Sequence, residues 1–240
     1  MKKYALITGA SGGIGSAVAE DLANEGWNLY LHYHKNKEAL FQLIHQLSPY
    51  GIECIPICAD LSTREGANHL IDHIFQIDAL IYSSGSAPYG LFSDLAEVEM
   101  DKMLQLHIKS PMMLVQSLLS SLRQRPSARI VLISSIWGQT GAACEVLYST
   151  VKGAQIAFVK SLSKETASSS LRINCVAPGA VKTNMLAPFD AQELEELESA
   201  IPLGYIAEPK DISGAVSFLL SERASYITGQ VLAVNGGWYT

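Results

Sequence analysis

The chain is poor in charge and in the residues that staple or anchor a protein. Lys and Arg number 17 and Asp and Glu 23 in 240 residues, a formal net charge of −6. So few basic residues argue against a nucleic-acid backbone as the main partner, which would call for a basic face. The four cysteines, Cys54, Cys58, Cys144 and Cys175, form no C-x-x-C pair, and no Asn-x-Ser/Thr sequon occurs. Reduced thiols and a cytoplasmic location are expected. No apolar run reaches the roughly 18 residues that span a bilayer, so no membrane partner is expected. The opening Met1–Ile7 imitates a signal peptide, but Thr8-Gly9 and further glycines interrupt it. What the chain does have is apolar material: 48% of residues are hydrophobic, enough for a large core and against extensive disorder.

Short apolar runs alternate with helical spacing almost from end to end. Strands are predicted at Tyr4–Thr8, Asn28–Tyr33, Glu53–Cys58, Ala79–Ser83, Arg129–Ser134, Arg172–Ala177 and Val231–Val234. Helices are predicted at Gly13–Glu25, Lys37–Leu47, Glu65–Phe75, Val98–Leu122, Leu147–Ala167 and Pro209–Leu220. Strands apolar on both faces are strands covered by helices on both sides. The alternation predicts an α/β fold, a Rossmann-type, doubly wound, seven-stranded parallel sheet in three α/β/α layers, with residues 1–240 as a single domain. Lys182–Tyr205 breaks the rhythm with Pro188, Pro202 and the acidic run Asp190–Glu198. It follows a strand's carboxyl end, where a substrate lid over about 184–205 is expected. The acidic run reads as a solvated lid helix, and a negative lid disfavours anionic substrates.

Thr8-Gly9-Ala10-Ser11-Gly12-Gly13-Ile14-Gly15 joins the first strand to the first helix. Glycine permits the sharp turn and the close approach, and the helix start offers N–H groups and positive dipole to a pyrophosphate. Gly9, Ser11, Gly13, Ile14 and Gly15 are therefore candidate dinucleotide contacts. An NAD-selective site usually ends its second strand in an acid. Here the strand ends Tyr33-His34-Lys35-Asn36-Lys37. His34, Lys35 and Lys37 either face a 2′-phosphate, which favours NADP(H), or form a solvated basic loop. Asp60-Leu61 closes the third strand and either reads an adenine edge or supplies a helix cap through Ser62 or Asp60.

Tyr148 and Lys152 lie four apart on a predicted helix, so they share a face, and Ser135 closes the fifth strand thirteen residues earlier. A nearby ammonium is expected to lower the phenol's pKa towards neutrality. With the glycine cradle, Asp60, Asn174-Cys175-Val176-Ala177-Pro178-Gly179, Thr183 and the closing Tyr226–Gln230 and Val234–Gly237, these residues make the chain resemble the short-chain dehydrogenase/reductase family over its whole length, and within it the 3-oxoacyl-(acyl-carrier-protein) reductases. The resemblance implies carbonyl reduction with NADPH. In it Tyr148 is the general acid, Ser135 orients the carbonyl, Lys152 holds the nicotinamide ribose and lowers the tyrosine pKa, and Pro178, Gly179, Val181 and Thr183 contact the nicotinamide half. It also implies a homotetramer built through the two long helices and the last strand. Met112, Met113, Leu114 and Leu118 fit that face or the core.

The chain departs from the family pattern in places. Tyr82-Ser83-Ser84-Gly85 stands where Asn-Asn-Ala-Gly is usual, leaving Ser84 and Gly85 as cofactor contacts. His107 falls at the asparagine whose water links the catalytic lysine to solvent. It either joins that relay, titrating near neutrality, or packs as a satisfied core histidine. Gly12 replaces an arginine common in NADP-preferring relatives. Pro126 and Ser169 stand where relatives dock acyl carrier protein with arginines, and Arg123, Arg125, Arg129 and Arg172 are candidates to substitute. Leu29–Lys37 with Leu106–Pro111 resembles a branch that reduces a 5-aminopentanone group on a lysine of elongation factor P, an alternative the acidic lid would tolerate. A non-catalytic NADP(H)-binding sensor is a further alternative on this fold. His69 and His73 share a helical face, but with no third ligand at a telling distance no metal is expected.

Overall fold

In the computed structural model, which describes residues 2–240, seven parallel strands form one sheet in the order β3-β2-β1-β4-β5-β6-β7. They are β1 (Tyr4–Thr8), β2 (Asn28–Tyr33), β3 (Cys54–Cys58), β4 (Ala79–Tyr82), β5 (Arg129–Ile133), β6 (Arg172–Pro178) and β7 (Val231–Val234). The side-chain period of two divides each strand between two cores. Ala5 and Ile7 of β1, Leu29 and Leu31 of β2 and Ala79 and Ile81 of β4 join one core with α1 (Gly13–Asn24), α2 (Lys37–Leu47) and, from the end of the chain, Pro209–Leu220. Leu6, Tyr30, Leu80 and Tyr82 point the other way, into the core of α3 (Arg64–Asp72) and two later helices, α5 (Ser110–Arg123) and α7 (Val146–Thr166). This is the predicted Rossmann-type architecture. The strand order reverses between β1 and β4, and a crevice opens there beyond the carboxyl ends of the strands.

The long helix predicted over Val98–Leu122 is three pieces: α4 (Glu97–Leu104), one π turn (Gln105–Lys109) and α5. Pro111 supplies the reason. It has no N–H to offer the preceding turn, so carbonyls there need other donors. The Tyr82 hydroxyl donates to the Leu106 carbonyl, and Gln155 Nε2 donates to the His107 carbonyl at 2.8 Å. Leu114 and Leu118 belong to the core, and Met112 faces outward.

A short helix absent from the sequence reading, α6 (Trp137–Thr140), follows Ser135 and packs against α7. Gly138 makes this possible, because a Cβ there would lie 2.7 Å from the Lys152 carbonyl carbon. The acidic run folds as α8 (Ala191–Ala200), started by a capping box between Asp190 and Glu193, with no buried residue. The Pro209–Leu220 helix is α9. Among the described residues no helix is long and apolar enough to cross a membrane.

Gly138→Ala is expected to push α6 off α7, costing about 1–3 kcal/mol. Thermal unfolding checks this, and a melting temperature equal to that of the parent would show that the contact has slack.

Candidate active site

The first-strand turn is built so that no side chain can fill it. Gly9 has φ +68°, a left-handed conformation that favours glycine. A Cβ on Gly15 would stand 2.3 Å from the Gly9 carbonyl oxygen, and one on Gly13 2.7 Å from Thr183 Cγ2. Gly12 caps α1 with no side-chain bond, and the helix's first turn holds no acid. The start of α1 therefore presents backbone N–H groups and positive dipole to an anion.

Beside this turn lies a pocket of about 590 Å³. Ile14, Gly85, Ser135, Tyr148, Lys152 and the Pro178–Val181 turn with Thr183 all line it, so residues predicted from five separate segments meet on one cavity. Its outer wall is Met185, Leu186, Pro188, Phe189, Glu193 and Leu197, from the segment expected to be a lid. Trp137 and Trp238 also line it, their rings 5.2 Å apart edge to face.

Burial sets the protonation of the central pair. Lys152 is buried, and its Nζ donates to the Ile133 carbonyl at 2.7 Å, at the end of β5. Desolvation pushes the ammonium's pKa down to about 8, with the neighbouring Cys175 opposing. The Tyr148 ring centroid is 5.4 Å from that Nζ. The phenol does not move towards neutrality as expected. Burial first, then the Glu145 charge, raise it above its ordinary value, while a hydrogen bond with Ser135 opposes. Tyr148 therefore keeps its proton at neutral pH. The expectation failed because spacing along a helix shows proximity of a cation but not the larger cost of desolvating a phenolate.

His107 is fully buried, edge-on to Tyr148 with ring centroids 5.9 Å apart. Its Nε2 meets the Ser86 N–H and carbonyl at 3.2 and 3.0 Å, and its Nδ1 has no partner among the described residues. Titration near neutrality is corrected. Burial and the Lys152 charge push its pKa down to about 3, so the ring is neutral.

The other predicted contacts are spread along the crevice. His34 pairs with Asp60 at 3.7 Å, and Lys35 is exposed beside them. Asp60 Oδ1 accepts from the Ser62 N–H and hydroxyl, and the cap of α3 is Thr63, not Ser62 or Asp60. The side chains of Tyr33 and Leu61 pack in the two cores. The Thr8 hydroxyl accepts from the N–H groups of Ser83 and Ser84, which sets the end of β4 against the glycine turn. His69 and His73 stack at 4.4 Å, and among the described residues no three potential ligands gather for a metal.

The arginines considered as a docking face are at the far end of the sheet. Arg129 and Arg172 open β5 and β6, whereas the pocket lies at the strands' carboxyl ends. They are also engaged: Arg172 Nε donates to the Ser225 carbonyl at 2.8 Å, Arg129 lies 3.7 Å from Glu222, and Arg125 pairs with Asp78 at 3.3 Å.

One residue was missed. Gln155 is buried between the His107 carbonyl and Lys152, with Oε1 3.5 Å from Nζ. An amide three residues after the lysine on a helix's inner face was the available signal. In Gln155→Leu the Lys152 ammonium loses a nearby acceptor, so its pKa is expected to fall further below about 8. A titration followed by the 13C shift of the lysine ε carbon checks this, and an unmoved midpoint would assign Gln155 to packing alone.

The enoyl-(acyl carrier protein) reductase family model matches residues 9–239. The chain is 52% identical to an uncharacterized oxidoreductase, YmfI, of Bacillus subtilis (strain 168), over all of both chains. It is 33% identical to the 3-oxoacyl-(acyl-carrier-protein) reductase FabG of Aquifex aeolicus (strain VF5), covering 99% of this chain and 97% of that one. Among solved structures, the angucycline C-6 ketoreductase LanV with bound NADP superposes with a TM-score of 0.93 at 28% identity, covering 98% and 95% of the two chains. A short-chain dehydrogenase/reductase from Brucella melitensis gives 0.91 at 29% identity, covering 100% of both chains. With the cradle, the Ser135–Tyr148–Lys152 group and the strand order in place, the chain belongs to the short-chain dehydrogenase/reductase family of oxidoreductases.

Proposed function

We propose that the protein reduces a ketone to a secondary alcohol with NADPH, in the pocket shared by Ser135, Tyr148 and Lys152. The observation that carries this reading is that these three line the same cavity as Ile14 of the glycine turn and the Pro178–Thr183 segment. The cradle closed to side chains fits a dinucleotide's pyrophosphate, and Lys35 with His34 fits a 2′-phosphate beside Asp60. LanV and a gluconate 5-dehydrogenase-like relative at 28% identity, both carrying NADP, support that choice of cofactor. When bound, NADPH supplies the hydride that reduces the carbonyl carbon.

The chain's own groups supply the rest. Ser135 holds the carbonyl oxygen beside the phenol. Tyr148, protonated at neutral pH, gives its proton to that oxygen as negative charge grows there, completing the alcohol. The Lys152 ammonium, 5.4 Å from the ring, stabilises the phenolate left behind. His107 stays neutral and holds the ring edge-on, so its part in proton supply is positional. The Asn184–Tyr205 segment serves as the lid, and Met112 with the outer face of α4 and α5 serves as a contact in a homotetramer.

Two substrate classes compete. The FabG relatives support a 3-oxoacyl chain on acyl carrier protein. The charge of the pocket favours the other class, a ketone bearing an amine, such as the 5-aminopentanone group on elongation factor P. Among the described residues, Glu145 and Glu193 are the pocket's carboxylates and the buried Lys152 is its one cation. The candidate docking arginines are at the opposite end of the sheet. A cationic chain gains where an acidic carrier loses.

Tyr148→Phe is expected to lower ketone reduction about 10²–10⁴-fold while NADPH binding holds. If parent and variant are equally inert across β-ketoesters, quinones and amino ketones, the sensor reading replaces the enzyme. Lys35→Glu is expected to raise KM for NADPH and leave NADH untouched, and a parent enzyme that prefers NADH would refute the 2′-phosphate site. Of two ketones matched in length, the amine-terminated one is expected to show the lower KM by about fivefold, the worth of about 1 kcal/mol. Glu145→Gln with Glu193→Gln should erase that difference, and an advantage for the carboxylate-terminated ketone would return the assignment to the acidic carrier.

A further inference from the structure

His32 sits one residue before the end of β2 and is buried. Both its backbone and its side chain grip the glycine turn. The Ala10 N–H donates to the His32 carbonyl at 2.9 Å, and the Gly9 N–H donates to His32 Nδ1 at 3.1 Å. The donor on Gly9 fixes the ring's tautomer. Nδ1 must offer a lone pair, so Nε2 carries the hydrogen, and that hydrogen points at the Ala59 carbonyl 3.0 Å away. The Ser84 hydroxyl lies 3.4 Å from Nδ1. One neutral imidazole thus spans the ends of β1, β3 and β4, the three strand ends that border the inner part of the crevice.

The arrangement is demanding. An aliphatic side chain at this position would leave the Gly9 N–H and the Ala59 carbonyl buried without partners. Gly9 is the residue whose left-handed φ starts the cradle, and its carbonyl accepts from the Gly12 N–H at 3.0 Å. The orientation of the Gly9 peptide therefore sets where Gly12 and the start of α1 lie. Ala59 immediately precedes Asp60, so the same ring fixes the opposite lip of the crevice.

We propose that His32 is a positioning residue for the dinucleotide site: its Nε2–H tautomer holds the glycine turn and the end of β3 at the separation that a bound NADP(H) needs. This rests on reading the glycine turn as a dinucleotide cradle. The ring fixes the backbone that meets the ligand and does not touch the ligand itself.

The test compares the parent protein with His32→Asn and His32→Phe. Asparagine places an acceptor oxygen where Nδ1 lies, and phenylalanine keeps the ring but removes both bonds. Dissociation constants for NADPH are read by its fluorescence on binding, and KM and kcat are measured on a ketone the parent reduces. We expect His32→Phe to weaken NADPH binding at least tenfold and to raise its KM in proportion, with kcat within threefold of the parent. His32→Asn should recover most of the affinity. Parent-like affinity in His32→Phe would overturn the proposal, as would equal weakening in both variants, which would leave only ring volume. A parent protein that binds no dinucleotide would overturn the cradle reading, and the proposal with it. Should His32→Phe fail to fold, the 15N spectrum of the parent's imidazoles decides: a neutral Nε2–H tautomer for His32 at pH 7 supports the proposal, and an Nδ1–H or charged ring overturns it.

Discussion

A positive charge held inside the protein is the constraint on which the rest of this structure turns. Lys152 is buried away from bulk solvent, and the fold supplies what compensates: a carbonyl at the end of β5, an amide oxygen at longer range and an aromatic ring. The ring and the amide stand on α7 with the lysine itself and the carbonyl closes β5, so helix and sheet must be in register before the lysine can be accommodated. α7, which carries the lysine, the ring and the amide, lies close against α6 only because Gly138 has no side chain. The site is thus held by packing as much as by hydrogen bonding. The same burial that makes the ammonium costly also disfavours the neighbouring phenolate.

Most of the fold could be read from the residues. Runs such as Ala5-Leu6-Ile7, apolar at both phases of the strand period, require cover on both sides, and that requirement with the intervening helices leads to the doubly wound sheet. The glycine turn and the Ser135–Tyr148–Lys152 spacing were legible for a related reason: their chemistry depends on local backbone geometry, which spacing encodes. The π turn was not legible as such. Pro111 announces a disturbance, but whether it becomes a break, a kink or a π turn depends on Tyr82 and Gln155, which are distant in sequence.

Protonation was the least legible property. The positions of Tyr148, Lys152 and His107 along the chain say who neighbours whom, whereas the direction of each pKa follows from how much water is removed. The Tyr148 reading weighed a neighbour's charge above desolvation, and the His107 reading carried a free imidazole's behaviour into a buried site. The arginines are a different case. Arg129 and Arg172 begin their strands, and ligand sites in such sheets lie where strands end, so their distance from the pocket was implicit in the predicted elements.

The proline in the long helix has an evolutionary consequence. By withholding its own N–H it obliges a side chain on another helix to complete the main chain, and Gln155 does so at the His107 carbonyl. Positions 111 and 155 are therefore epistatic. Losing the glutamine leaves an acceptor stranded so long as proline remains, and replacing the proline first makes the glutamine dispensable there. The lysine beside that glutamine keeps its amide acceptor only while the glutamine is retained.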